Sequence, residues 1–224
     1  MHRFLLFKSK DPVDIPVYDN YDGIDIFLKD ANSDRDIIFC HGSKLSGKVY
    51  NILLNDMSRH TKCNVISFNL KGMLNSRGIS SEKGIRKEVD SFISCYLQKR
   101  NKKVIVFGQS LGCCLAIQIG RKLGINKVIL ENPFINYKSL IKSLYKYDFV
   151  SYFVVDKWCN NKISELKSAL FLISDNDTLI KNEDGKHLQS LTNNSKIAFL
   201  NGSNHFNANR NRHFYQHIIN YINN

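Results

Sequence analysis

Six short apolar runs, separated by longer segments with a helical pattern, constrain the fold of this chain more than any other feature. Each run is rich in β-branched residues or phenylalanine and does not alternate with polar residues, which is typical of strands buried on both faces. The runs are DIIFC (36–40), NVISF (64–68), KVIVF (103–107), KVIL (127–130), ALFLI (169–173) and KIAFL (196–200). Strands and helices that alternate at this spacing predict right-handed crossovers and a mostly parallel, twisted sheet.

The segments between the runs predict helices on both faces of that sheet, so the expected fold class is α/β. The N-terminal stretch IPVYDNYDGIDIFL contains two short β-like pieces around Asp22-Gly23, which predicts an antiparallel hairpin at the start of the sheet. The segments with a helical pattern are 48–60, 82–99, 111–123, 138–146, 183–191 and 209–222.

The 224 residues are expected to form a single domain, 1–224, because the chain contains no repeat, low-complexity linker or seam rich in proline and glycine. The aromatic and weakly basic stretch 139–162 lies between two of the predicted strands and predicts a short, minimal cap. Such a cap would line an acyl pocket and leave the site open to a bulky substrate.

The formal net charge of +12 is compatible with an anionic membrane or a nucleic acid as partner. The basic residues are scattered, without a run of five or six, and lysine is more common than arginine. Nucleic acid is therefore not the expected partner, while peripheral contact with an anionic membrane stays open. Genome composition is an alternative cause of the charge, because lysine, asparagine and isoleucine have AT-rich codons.

The cysteines form no CxxC pair, so the sequence predicts neither a disulfide framework nor a zinc site. We expect a reducing compartment and no metal or cofactor. The apolar stretch near the N-terminus has four residues, too few for a signal peptide, and no later segment approaches 18 apolar residues. The expectation is a cytoplasmic protein, with peripheral membrane association as the alternative. The cysteines are Cys40, Cys63, Cys95, Cys113, Cys114 and Cys159.

Polar residues follow four of the predicted strands, at the edge of the sheet where open α/β sheets bind ligands. HGSK (41–44) follows the first run, GQSLG (108–112) the third, SDND (174–177) the fifth and NGSNH (201–205) the sixth. A serine, a carboxylate and a histidine thus arrive in that order at one edge of the sheet.

This order has a chemical reason, because a serine hydroxyl needs an imidazole to take its proton and a carboxylate to hold that imidazole. Gly108 and Gly112 are expected to give Ser110 room for a sharp, strained turn from strand to helix. The main-chain amides of Leu111 and Ser43 are expected to form an oxyanion hole, each stabilising the transition state by about 3–4 kcal/mol.

These motifs resemble those of the α/β-hydrolase superfamily, from about Ile37 to the C-terminus. More narrowly, the chain resembles the lidless hydrolases that include acyl-protein thioesterases, which are protein depalmitoylases, and their membrane-anchored relatives. The resemblance implies Ser110 as the nucleophile, Asp177 as the acid and His205 as the base. FCHGS, GQSLG, ILENPF, ISDNDTLI and NGSNH match the pattern of the family, and SFNLKGMLNSRG departs from it at Asn69, Met73 and Leu74.

Several alternatives stay open for the site. Asp175 or Glu131 could supply the acid in place of Asp177. Cys113 or Cys114, directly after the turn GQSLG (108–112), which we call the elbow, could be a nucleophile instead of a packing residue. His41 is expected to orient the oxyanion loop. Lys44 could attract an anionic substrate group or simply be solvated.

The expected function is that of a serine hydrolase of carboxylic ester or thioester bonds that acts through an acyl-enzyme, as an acyl-protein thioesterase or a lipase-like enzyme does. Its partner would be an acylated small molecule, lipid or protein. Two other functions are compatible with the sequence. One is a serine peptidase or amidase of the prolyl-oligopeptidase type, and the other is a catalytically silent module that binds through its basic surface.

Overall fold

The computed structural model describes residues 18–21, 24–43, 47–69, 81–95, 97–144 and 156–224. At its centre is an eight-stranded sheet with the order β1-β2-β4-β3-β5-β6-β7-β8. The last six strands in this order run parallel, and β1 and β2 pair antiparallel at one edge. The strands are β1 (Asp19–Tyr21), β2 (Ile24–Lys29), β3 (Arg35–Cys40), β4 (Asn64–Asn69), β5 (Lys103–Gln109), β6 (Val128–Glu131), β7 (Ala169–Ser174) and β8 (Ser195–Leu200).

Helices connect the parallel strands and confirm the predicted α/β class. They are α1 (Gly47–Thr61), α2 (Glu82–Cys95), α3 (Gly112–Lys122), α4 (Tyr137–Leu144), α5 (Asn182–Ser190) and α6 (Phe214–Asn223), with short 3-10 helices at Leu97–Lys99, Asn161–Glu165 and Ala208–Arg210.

The central strands are apolar at successive positions because each face of the sheet has its own core. Ile37 and Phe39 of β3 pack in a cluster with residues of α1 and α6. Ile38 and Cys40 of the same strand pack in a second cluster with residues of α2 and α3. Since successive side chains of a strand point to opposite faces, an unbroken apolar run is what two helical layers require.

Strand β8 is an exception to the predicted burial on both faces. It is the last strand of the sheet, and exposed or half-buried positions alternate with buried ones near its end. Phe199 is 41% exposed, and the Lys186 ammonium lies 5.5 Å from the centre of its ring. The apolar run KIAFL therefore does not distinguish an edge strand from a central one.

The last helix begins later than predicted, at Phe214 instead of residue 209. Asn211 explains the delay, because its side-chain amide donates to Asn201 O and Ser203 Oγ while its Oδ1 accepts the His213 N–H. Such side-chain bonds to the main chain compete with helix formation. The predicted helix 82–99 is also shorter, since α2 ends at Cys95 and a 3-10 helix follows.

The chain returns from the cap region onto the start of α2. Glu82 Oε2 accepts the N–H groups of Lys157 and Trp158 at 2.7 and 3.0 Å, and the Glu82 N–H donates to Asp156 Oδ1 at 3.2 Å. The Arg86 guanidinium lies 5.3 Å from the centre of the buried Trp158 ring. These contacts fix residues 156–158, within the predicted cap, to the start of α2.

Several sequence-based predictions fall outside the described residues. These are the Asp22-Gly23 turn, Lys44, the segment 70–80 with Met73 and Leu74, and residues 145–155 of the predicted cap. Of the predicted cap 139–162, the structure describes residues 139–144, in α4, and 156–162. No helix among the described residues is long and apolar enough to cross a membrane.

Candidate active site

Ser110 lies at the turn between β5 and α3, at the carboxyl edge of the sheet. Its φ of 52° is in the left-handed region, which side chains other than glycine adopt at an energetic cost. The surrounding main chain holds it there, because the Ser110 N–H donates to Glu131 O at 2.8 Å and Ser110 O accepts the Cys113 N–H at 3.0 Å. The serine is thus presented on a strained turn, as the sequence predicts.

The two glycines of the turn are required by packing against other elements, not by crowding of the serine itself. A Cβ on Gly112 would lie 2.0 Å from Cys40 O, at the end of β3. A Cβ on Gly108 would lie 2.6 Å from Cys113 Cα and 2.7 Å from Ala116 Cβ. The start of α3 therefore packs against the end of β3 and the end of β5 more closely than any side chain allows.

The loop after β3 passes beside the serine. A Cβ on Gly42 would lie 3.5 Å from Ser110 Cβ, in ordinary contact. His41 is buried, and its Nδ1 lies 2.7 Å from Gly42 O, so the ring N–H donates to that carbonyl. Burial lowers the pKa of His41, which favours the neutral ring. The orientation of this loop is thus held by a buried imidazole, and Ser43 follows it, half-buried.

Leu111 follows Ser110 and directly precedes α3. It is buried, and in the described chain no side chain caps the first turn of this helix. The main-chain N–H groups at the start of a helix carry partial positive charge and can donate to an anion.

His205 and Asp177 form a close pair on the loops after β8 and β7. His205 Nδ1 lies 2.6 Å from Asp177 Oδ2, and the Asp177 side chain is 1% exposed. The other carboxylate oxygen, Oδ1, accepts the N–H groups of Leu179 and Ile180 at 2.8 and 2.9 Å. A neutral His205 ring bonded in this way carries its proton on Nδ1, which leaves Nε2 free to accept one. Among the described residues, no hydrogen bond joins His205 to Ser110.

The ends of β6, β7 and β8 are bonded to one another beneath this pair. Asn132, with a φ of 46°, accepts the Ser174 N–H at 2.8 Å and donates from Nδ2 to Ser174 Oγ at 3.1 Å. The Asn176 N–H donates to Ser203 O at 2.9 Å. This structural role of Asn132 is absent from the sequence-based predictions. A polar residue directly after a buried strand is the pattern that indicates it.

The alternatives to the predicted acid occupy different positions. Asp175 is exposed, and it bonds Leu200 and Asn182 through its main chain. Glu131 is buried at the end of β6, and its Oε1 accepts a hydrogen bond from Gln109 Nε2 at 3.1 Å. Of the three carboxylates, Asp177 is the one hydrogen-bonded to His205.

The two cysteines after the elbow are buried in the core. Burial raises the pKa of the Cys113 thiol well above its usual value, and this thiol donates to Gly108 O. Burial likewise raises the pKa of the Cys114 thiol to about 12. A nucleophilic cysteine needs a thiolate, so both fit the packing role. In the part of the chain that the structure describes, no group of three His, Cys, Asp or Glu residues is placed to hold a metal ion.

The surroundings of His205 are partly apolar and partly open. The Phe206 ring meets the His205 ring edge-on at 5.2 Å and is 67% exposed. A cavity of about 270 Å³ lies between α4 and the loop that follows Asp177. It is lined by Ser139, Leu140, Lys142, Ile180, Lys181 and Asp184.

Comparison with known proteins identifies the architecture. No protein-family model matches the chain. The chain is 18% identical to an alpha-beta hydrolase of Vibrio vulnificus, with a TM-score of 0.68, covering 88% of this chain and 77% of that one. An esterase of Pyrococcus furiosus is 17% identical, with a TM-score of 0.69, covering 89% and 84%. The chain has the α/β-hydrolase fold.

Two yeast proteins are related to it in sequence. Protein bem46 of Schizosaccharomyces pombe is 29% identical over 128 residues, which are 52% of this chain and 42% of that protein. An uncharacterized membrane protein of Saccharomyces cerevisiae is 32% identical over 127 residues, 53% of this chain and 43% of that protein. The matches thus span less than half the length of the curated relatives.

In this α/β-hydrolase fold, a side chain at residue 112 should disrupt the packing of the elbow. We expect Gly112→Ala to lower the free energy of unfolding by about 3 kcal/mol or more, because the new Cβ overlaps the rigid main chain of β3. Gly42→Ala is the matched control, and we expect a change below about 1 kcal/mol because its Cβ meets neighbours at ordinary distances. Urea denaturation of the variants measures both values. Equal stability of the two variants would contradict the close approach of α3 to β3.

Proposed function

We propose that this protein is a serine hydrolase that cleaves carboxylic ester or thioester bonds through an acyl-enzyme. The observation that carries the proposal is the His205–Asp177 pair at 2.6 Å, on the same sheet edge as Ser110 on its left-handed turn. A strained serine, an imidazole oriented by a buried carboxylate and a helix start without a side-chain cap are the parts that acyl transfer needs.

In the proposed mechanism, Ser110 Oγ attacks the substrate carbonyl carbon while its proton passes to His205 Nε2. Asp177 holds the ring in the tautomer that can accept this proton and stabilises the imidazolium that forms. The carbonyl oxygen becomes an oxyanion, which the main-chain N–H groups of Leu111 and Ser43 stabilise.

The tetrahedral intermediate then collapses. His205 gives its proton to the leaving alcohol or thiol, and the acyl group stays on Ser110. A water molecule, deprotonated by His205, attacks the acyl-enzyme. The second tetrahedral intermediate then releases the carboxylic acid as His205 returns the proton to Ser110 Oγ. In this mechanism the hydrogen bond between Ser110 and His205 forms when substrate binds, since catalytic hydrogen bonds often tighten only in the complex.

A fluorophosphonate probe tests the nucleophile directly, because it reacts with activated serines. We expect labelling of the wild-type protein and a loss of at least about 100-fold in the labelling rate of Ser110→Ala. Ser190→Ala, on the exposed surface of α5, is the matched control and should label at the wild-type rate. An unlabelled wild type, or equal labelling of Ser110→Ala, would exclude the proposed mechanism.

Substitution of each of the two aspartates in the loop after β7 tests which carboxylate orients His205. We expect Asp177→Asn to lower kcat by about 10³–10⁴-fold. Oδ1 of the new amide can still accept the two main-chain N–H groups, which turns the amide NH₂ toward His205 Nδ1 and selects the wrong tautomer. Asp175→Asn should change kcat by less than about threefold, because Asp175 is exposed. Similar losses in both variants would contradict the role of Asp177. Hydrolysis of a p-nitrophenyl ester gives both values.

The substrate class that we propose is an acylated molecule with an apolar chain, as an acyl-protein thioesterase or a lipase-like enzyme would take. Exposed Phe206 beside His205 offers an apolar contact at the entrance of the site. We propose that the protein reaches membrane-bound substrates through peripheral contact with an anionic membrane, which is compatible with its net charge of +12.

Ester chain length tests this substrate class. We expect kcat/KM to rise from p-nitrophenyl acetate to longer esters and to exceed the value for peptide anilides, the substrates of the alternative peptidase. Phe206→Ala should lower kcat/KM for the long esters by about 5–10-fold, because the apolar contact is lost. Phe199→Ala, which removes another exposed phenylalanine, is the control and should have little effect. Faster cleavage of anilides would favour the peptidase.

A further inference from the structure

A second carboxylate, Glu131, is built into the same edge of the sheet and has no part in the mechanism above. It is the last residue of β6, opposite Gln109 in the register of β5 and β6, and it is 1% exposed. Gln109 Nε2 donates to its Oε1 at 3.1 Å, and its main-chain carbonyl accepts the Ser110 N–H at 2.8 Å. Glu131 is therefore next to the nucleophile in space and is held in one orientation.

The charges around Glu131 come from several elements. Asp177 and His205, on the loops after β7 and β8, both act on it electrostatically. Its charge in turn acts on the Cys113 thiol of α3 and the Tyr215 hydroxyl of α6. Burial raises the pKa of Glu131 to about 7, with a contribution from the charge of Asp177, while the Gln109 hydrogen bond and His205 oppose the rise. The carboxyl group therefore changes its charge near neutral pH.

We propose that Glu131 is a positioning residue whose buried carboxylate, held by Gln109 at the elbow, adds a second negative charge to that of Asp177 in support of the His205 imidazolium. This role rests on the proposed hydrolase mechanism. Glu131 neither donates nor accepts a proton in the reaction, because the proton passes from Ser110 Oγ to His205 Nε2. Its ionisation changes how strongly His205 holds that proton.

The sign of the effect follows from the charges. Above about pH 7, Glu131 is ionised and favours the imidazolium that forms in the transition state. As the pH falls through about 7, Glu131 becomes neutral and this support is lost. The acid limb of the wild-type pH profile should therefore contain an ionisation near pH 7 that a variant without this carboxylate lacks.

Glu131→Gln tests the role of the charge while keeping the size of the side chain and an oxygen that can accept from Gln109. We expect kcat/KM for a p-nitrophenyl ester at pH 8 to fall by about 3–10-fold, through kcat and not KM. The acid limb should lose the ionisation near pH 7 and move to lower pH by about 0.5 pH unit or more. Glu183→Gln, on the exposed start of α5, is the control and should keep the wild-type profile.

The conservative variant Glu131→Asp separates charge from packing. It keeps a carboxylate but shortens the side chain, so we expect it to recover part of the activity at pH 8 that Glu131→Gln loses. If Glu131 serves only to pack the elbow, Glu131→Asp should lose more activity than Glu131→Gln, and the pH profile should be unchanged in both variants. That outcome would overturn the proposal.

An NMR titration of His205 tests the proposal without relying on turnover. The midpoint of the His205 titration should move to lower pH in Glu131→Gln, since a nearby negative charge has been removed. An unchanged midpoint overturns the role of Glu131 even if the wild type reacts with fluorophosphonate. If the midpoint shifts but the wild type does not react with fluorophosphonate, the charge coupling is supported and the hydrolase function is excluded. The failure of the proposal and the failure of the hydrolase function are therefore distinguishable.

Discussion

The structure depends on the close approach between the start of α3 and the end of β3. No atom larger than hydrogen fits between Gly112 and the carbonyl of Cys40, and no side chain fits between Gly108 and the first turn of α3. This contact forces the chain to turn within a few residues, which places Ser110 in the left-handed region. The same contact sets the first turn of the helix beside the loop of His41 and Gly42, so the proposed nucleophile and both candidate oxyanion donors share one constraint.

Asp177 and His205, the proposed acid and base, are held by a different kind of interaction. The carboxylate of Asp177 is bonded on one side to two main-chain amides and on the other to His205. The loop that carries it is bonded in turn to the ends of β6 and β8, through Asn132 and through Ser203. The elbow is rigid because of close packing, whereas this half of the site is rigid because its polar groups are paired.

The sequence predicts those features that depend on local pattern. Unbroken apolar runs identify the central strands, and the polar residues directly after them place Ser110, Asp177 and His205 at one edge of the sheet. The structure has all three at that edge and joins Asp177 to His205 by a hydrogen bond. Features that depend on the order and register of the strands are not predictable in this way. The Gln109–Glu131 bond requires that β5 and β6 be adjacent and in one register, and the exposure of Phe199 requires that β8 be at the edge. The late start of α6 depends on the contacts of a single side chain, Asn211.

The hydrogen bond that orients the serine has a consequence for how this edge of the sheet can vary. The Ser110 amide is bonded to the main-chain carbonyl of Glu131, an atom that every amino acid provides. The side chain at this position can therefore gain or lose a charge without releasing the turn. Geometry and electrostatics are separable here: a change of the side chain at residue 131 alters the charge at this edge of the sheet, while the main-chain bond that orients Ser110 stays in place.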